Sequence, residues 1–129
     1  MVVRYLDGRI MKGYTADFMP NKELFHIVPL DTQSGAQTRT VNVRECKALF
    51  FVKDFKGNPQ YDEKKEFEPG KTVVGRKIKV IFKDRELIVG TTQGYQPGRP
   101  GFFVFPADPK SNIDRSFIVS AATKEVSFI

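Results

Sequence analysis

Apolar and polar residues alternate in short runs along most of this chain, and no apolar period of 3.6 is sustained anywhere. The runs read as strands. VVRYL at 2–6 is followed by Asp7-Gly8, a tight hairpin turn, and then by a longer strand, RIMKGYTADF at 9–18. LFHIVPL at 24–30, RTVNV at 39–43 and KALFFVK at 47–53 complete a set of five. A second set falls at 78–83, 86–95, 101–107, 115–120 and 124–129. Only Arg44-Glu45-Cys46, or Ala121-Ala122-Thr123, separates the last two strands of each set, which suits one tight 3₁₀ turn.

The two sets are one pattern written twice. Val2–Val52 lies on Lys79–Ile129 without a gap, and 11 of 51 positions are identical. Among them are Asp7/Asp84, Gly13/Gly90, Pro20/Pro97, Phe25/Phe102, Pro29/Pro106, Asp31/Asp108, Ser34/Ser111, Lys47/Lys124 and Phe51/Phe128. The expected organisation is a first repeat at 1–53, a polar connector at 54–77 with room for one short helix or strand, and a second repeat at 78–129. Gly13 and Gly90 lie inside strand two, where a glycine marks a sharp bend or a close backbone approach. A small closed barrel requires such a bend. Pro20, Pro97, Pro29 and Pro106 stop strand two and end strand three in both copies, so they read as scaffold.

Alternation also sorts core from surface. Phe25/Phe102, Ile27/Val104, Leu49/Val126 and Phe51/Phe128 share the inward faces. Phe50, Phe103 and Phe105 then point outward, where the other copy has Ser127, His26 and Val28. Leaving a large aromatic side chain in water forgoes roughly 1.5–3 kcal/mol. These three rings are therefore the candidate interface, against the other barrel, the connector or a partner.

Composition narrows the function classes. The net charge is +6, but each third of the chain carries seven Lys/Arg against five Asp/Glu, so no basic arm stands out. No run approaches the ~18 apolar residues of a membrane span, and MVVRYLDG is not a secretory signal. The expectation is a cytoplasmic protein with no membrane partner. His26 is the one histidine, and Phe103 holds its place in the second copy. Cys46 is the one cysteine, opposite Thr123. No spacing matches a metal site. Pro69-Gly70-Lys71-Thr72 imitates a phosphate loop, but Lys65 stands where its first glycine is required and DEKKEFE replaces the preceding apolar strand. The residues thus point to no enzyme, no cofactor and no metal. Arg99, in a Gly98–Gly101 turn peculiar to the second copy, and Asn21 are the candidate ligand-loop residues.

RYLDGRIMKGYTADF, with Gly8, Gly13 and Phe18, resembles the first motif of Sm-like proteins, the Lsm and Hfq group. FKDRELIVGTTQGY keeps Gly90 and sets Tyr95 at the aromatic place. VNVRECKALFFV and IVSAATKEVSFI are similar to the junction of strands four and five in that family. The whole chain also resembles an uncharacterised bacterial domain family of doubled barrels. The resemblance implies an all-β fold of two tandem five-stranded, strongly bent Sm-like or SH3-like small barrels. It also raises RNA as a partner. The uridine-binding pattern of the Sm family, a Met-Asn pair after strand two and Arg-Gly before strand five, is not reproduced: Arg44 precedes Glu45, and only Asn21 comes near the first pair. The leading expectation is a binding or scaffolding module acting on another protein. RNA binding is the alternative, and self-association is a further outcome.

Overall fold

The computed structural model describes residues 1–30, 37–57, 60–67, 69, 73–96 and 98–129. Ten strands carry it. The first five are β1 (Val2–Tyr5), β2 (Ile10–Tyr14), β3 (Leu24–Pro29), β4 (Arg39–Asn42) and β5 (Cys46–Val52). The second five are β6 (Arg76–Phe82), β7 (Leu87–Thr92), β8 (Gly101–Pro106), β9 (Ile113–Val119) and β10 (Thr123–Phe128). Among the described residues there is no α-helix, and no helix is long and apolar enough to cross a membrane. Two 3₁₀ turns, Val43–Glu45 and Ser120–Ala122, stand between the last two strands of each set. The Asn42 side chain starts the first turn by accepting the Arg44 N–H at 3.0 Å. Against expectation, β2 stops at Tyr14, well short of residue 18, and β6 begins at Arg76. The described connector residues before Arg76 form no helix or strand.

Elements and ladders of the first half recur 77 residues on. β3 and β8 have the same bounds at that spacing, as do the two 3₁₀ turns. Gly13 faces Pro29 as Gly90 faces Pro106, and Phe25 faces Val41 as Phe102 faces Ile118. The inward positions Phe25, Ile27, Phe102 and Val104 are all buried, in one continuous hydrophobic cluster with Leu49, Val80 and Phe117.

The strands do not make two separate closed barrels. They form a single antiparallel sheet, ordered β10-β6-β7-β8-β9-β5-β1-β2-β3-β4, that does not close on itself. Within each half the order is that of strands five, one, two, three and four. The halves join where β5 pairs with β9: Ala48 opposite Ile118, Leu49 opposite Phe117, Phe50 opposite Ser116. The reason is a matter of edges. β5 and β9 each have one side occupied by a strand of their own half, and the other side presents unpaired N–H and C=O groups that must find partners if buried. Each strand satisfies the other, and the bonds are shielded by side chains from both cores.

Gly13 and Gly90 owe their place to close approach. A Cβ on Gly13 would run into the carbonyl oxygen of Val28, and one on Gly90 into that of Phe105. Neither obstacle is a movable side-chain end, so only glycine lets these strands cross so tightly. Pro29 and Pro106 close their strands opposite those glycines, and Pro20 lies in an exposed turn. Pro97 and Asp31 lie outside the described residues.

Candidate functional site

The seam between β5 and β9 gathers two of the three candidate interface rings, Phe50 and Phe103. Phe50 is 5% exposed, on β5 beside Ser116. Phe103, opposite Phe117 on β8, is half-buried. Its ring lies 5.2 Å from Phe117, 6.2 Å from Phe51 and 6.4 Å from Phe18, so rings of both halves meet in one edge-on cluster. Gly101 makes this possible, since a Cβ there would meet the Phe117 ring. The first half has Leu24 at that place. Phe105 takes no part in the seam; it is 38% exposed beside Phe67 and Val74 of the connector.

A buried lysine clamps the halves. The Lys47 side chain is 10% exposed, with its Nζ 2.7 Å from Asp84 and 2.6 Å from Glu86 in the β6–β7 turn. It also sits 4.7 Å from the Phe82 ring centroid. Lys47 accounts for its burial by satisfying two carboxylates at once. It has a counterpart in Lys124, and Asp84 in Asp7, but Glu86 corresponds to Arg9. Arg9 instead holds Asp7 locally at 2.7 Å.

The connector is strapped to the loop before β9. Asp108, buried, accepts from the Tyr61 hydroxyl, from the Lys64 N–H at 2.8 Å and from the Lys110 N–H at 2.9 Å. Those bonds, Tyr61 foremost, pull the Asp108 carboxyl down to about 2, and the same bond pushes the Tyr61 phenol up to about 12. Ser111 donates to Glu63, and Asn112 exchanges two bonds with the Asp54 backbone at 3.1 and 2.7 Å. Lys12 of β2 donates to the Phe55 carbonyl at 2.9 Å, which ties the connector to the first half. Neither Lys47 nor this strap was assigned a role from the sequence. The only signal was that Lys47, Asp84, Asp108 and Ser111 are identical across the repeat.

Between strap and seam lies a cleft of about 310 Å³. Its floor is apolar: Val2 and Phe50 from the first half, Ile88 and Ile113 from the second. Ile10 stands at the lip, 53% exposed. The rim carries Arg4, Lys12, Lys56 and Lys65 among Asp54, Glu63 and Glu86. Lys65 is paired to Glu63 at 2.7 Å and Glu86 is taken by Lys47. Arg4, Lys12 and Lys56 make no ion pair among the described residues, so the free charge of the rim is positive.

The candidate ligand-loop residues are not brought together. Arg99 borders a separate hollow of about 430 Å³, shared with Arg44, Pro100 and Ser120, in which Arg44 is already paired to Glu23 at 2.7 Å. Asn21 is exposed in the turn after Pro20 and does not line that hollow. His26 is bound to Asp17 at 2.6 Å, which holds the Asp17 carboxyl down at about 2. Burial pushes the Cys46 thiol up to about 12, so at neutral pH it is a protonated core side chain. Among the described residues no three His, Cys, Asp or Glu converge as metal ligands do.

No curated protein and no solved structure matches the chain. A family model does, over residues 1–129, and its description is a family of unknown function. The chain belongs to that family, DUF6982.

Proposed function

We propose that the protein is a non-enzymatic binding module, built from two Sm-like five-stranded repeats in tandem within one open sheet, that acts by protein–protein contact. The Sm-like reading is supported by the five-one-two-three-four strand order in each half and by the 3₁₀ turn before each last strand. The observation that carries the binding reading is the seam cleft. Its apolar floor draws on both halves, and its rim holds cations without carboxylate partners. Such a site suits an apolar side chain flanked by acidic residues on a partner's surface, burying the one and pairing the others.

RNA is the second reading, favoured by Arg44 and Arg99 facing one hollow across the halves. It is the weaker one: Arg44 is engaged by Glu23, and among the described residues no aromatic ring lines the hollow on which a base would stack. Affinity capture with wild type and with Ile10→Asp separates the two. Ile10 is exposed, so the variant keeps its melting curve while losing a partner held in the cleft. A partner captured equally by both proteins sinks the cleft reading. Single-stranded RNA that binds Ile10→Asp as well as wild type, weakens steeply with salt and is lost on Arg99→Ala would establish the alternative.

A further inference from the structure

The first core is sealed on its β5 side by rings from the other half. Phe18 meets Phe25 and Phe51 at 5.2 and 5.9 Å, and Phe117 of β9 packs onto Phe18 at 5.2 Å. Seventy-seven residues on, Tyr95 meets Phe102 and Phe128 at 4.7 and 6.0 Å in the same edge-on arrangement. There the counterpart of Phe117 is missing: among the described residues no third ring packs on Tyr95. Phe128 is 40% exposed and Ile129 59%, and β10, the counterpart of β5, is the end of the sheet.

We propose that the free edge of β10 accepts an extended segment of another protein as an added strand. An aromatic side chain of that segment would seat on Tyr95 and Val126, as Phe117 seats on Phe18 and Leu49. The seam is the template: it records, inside this chain, what a strand-five edge receives. Backbone bonds along the edge supply affinity, and the aromatic seat supplies selectivity. The seat favours an acidic segment. The Arg76 guanidinium, on β6 of the same half, lies 3.7 Å from the Phe128 ring centroid, whereas the cation over Phe51, Arg115 at 4.4 Å, comes from the added strand β9. The cation is thus already present, and a carboxylate opposite it would pair with it. Lys124 adds a second positive charge, and Glu125 is the one acid on β10.

A second copy of the chain is a poor occupant, although its β4 edge is free. Where the seam uses Phe117 and Phe103, β4 and β3 have Thr40 and His26, and His26 is held by Asp17. Where the seam uses Ala48 and Phe50, β10 has Glu125 and Ser127. The apolar contacts that hold β9 to β5 are polar at both free edges, in the manner of edges protected against self-pairing.

This site lies outside the seam cleft, so the two readings fail separately. The probe is a labelled synthetic peptide with the sequence of residues 112–120 carrying R115E, titrated with the full chain and followed by anisotropy. Saturable binding is expected, weakened at least about tenfold by F117S in the peptide or by Phe128→Ser in the protein, and unaffected by Ile10→Asp. Arg76→Glu should weaken the R115E peptide and restore binding to the peptide with its original arginine. This charge reversal keeps the test decisive if Phe128→Ser does not fold. Absence of saturable binding, equal binding by Phe128→Ser, or failure of the charge reversal overturns the proposal. So does equal binding of a peptide with the sequence of residues 37–43, which would make a second copy the occupant.

Discussion

Replacing Phe103 with serine tests whether the two halves are one folding unit. The ring is half-buried, with three aromatic neighbours from both halves and the Arg115 guanidinium 5.2 Å from its centroid. Burial of a phenylalanine contributes roughly 1.5–3 kcal/mol when complete, so partial burial contributes about 1–2. Edge-on ring contacts add about 0.5–1.5 kcal/mol, and a residual cavity adds to the loss. The expected destabilisation is about 2–4 kcal/mol. In urea, at a slope of about 2 kcal/mol per molar, the midpoint should fall by about 1–2 M in a single transition of unchanged slope. Phe105→Ser is the control. It lies on the same strand and the same face, but is 38% exposed and away from the seam, so its loss should be about 1 kcal/mol or less. Equal losses at the two positions would refute the assignment of Phe103 to the seam. Two separate transitions in the wild type, only one of them moved by Phe103→Ser, would refute the continuous core.

Gly90→Val should cost about 1–3 kcal/mol or more, because its Cβ meets the Phe105 backbone, and Gly13→Val should behave alike; unchanged melting temperatures for both would show that the strands do not cross as described. Lys47→Ala should lower stability by about 1–3 kcal/mol, since it removes both the packed stem and the partner of two half-exposed carboxylates, whereas Lys47→Met loses only the ion pairs and should cost less than about 1 kcal/mol. Equal midpoints for the two variants would mean that the packed stem contributes nothing. Asp108 is held at about 2, below its ordinary carboxylate value, so its contribution is complete above about pH 4 and is lost as pH falls toward 2. Stability measured between pH 5 and 2 should therefore fall more steeply in wild type than in Asp108→Asn, and parallel curves would remove the strap from the account.

The strands themselves were legible in the sequence. Alternation of Phe25, Ile27, Phe102 and Val104 with their outward neighbours is a local property, since a side chain's face follows from its parity along the strand. The 77-residue register carried that information into both halves, and with it the glycines at 13 and 90. Asymmetry between the copies also marked Phe50 and Phe103 as unusual. Their partners were not legible. Backbone edges carry no residue label, so nothing in β5 or β9 alone says that they pair with each other and not within their own halves. The same holds for Lys47, whose two carboxylates are 37 and 39 residues away, and for Asp108, joined to Tyr61 across 47. Alternation and turn residues act over a few positions and fix each strand locally. Pairing of distant edges, a sheet in place of two barrels, the cleft and the open aromatic seat on β10 arise only when those strands compete for the same hydrogen bonds and the same apolar cover.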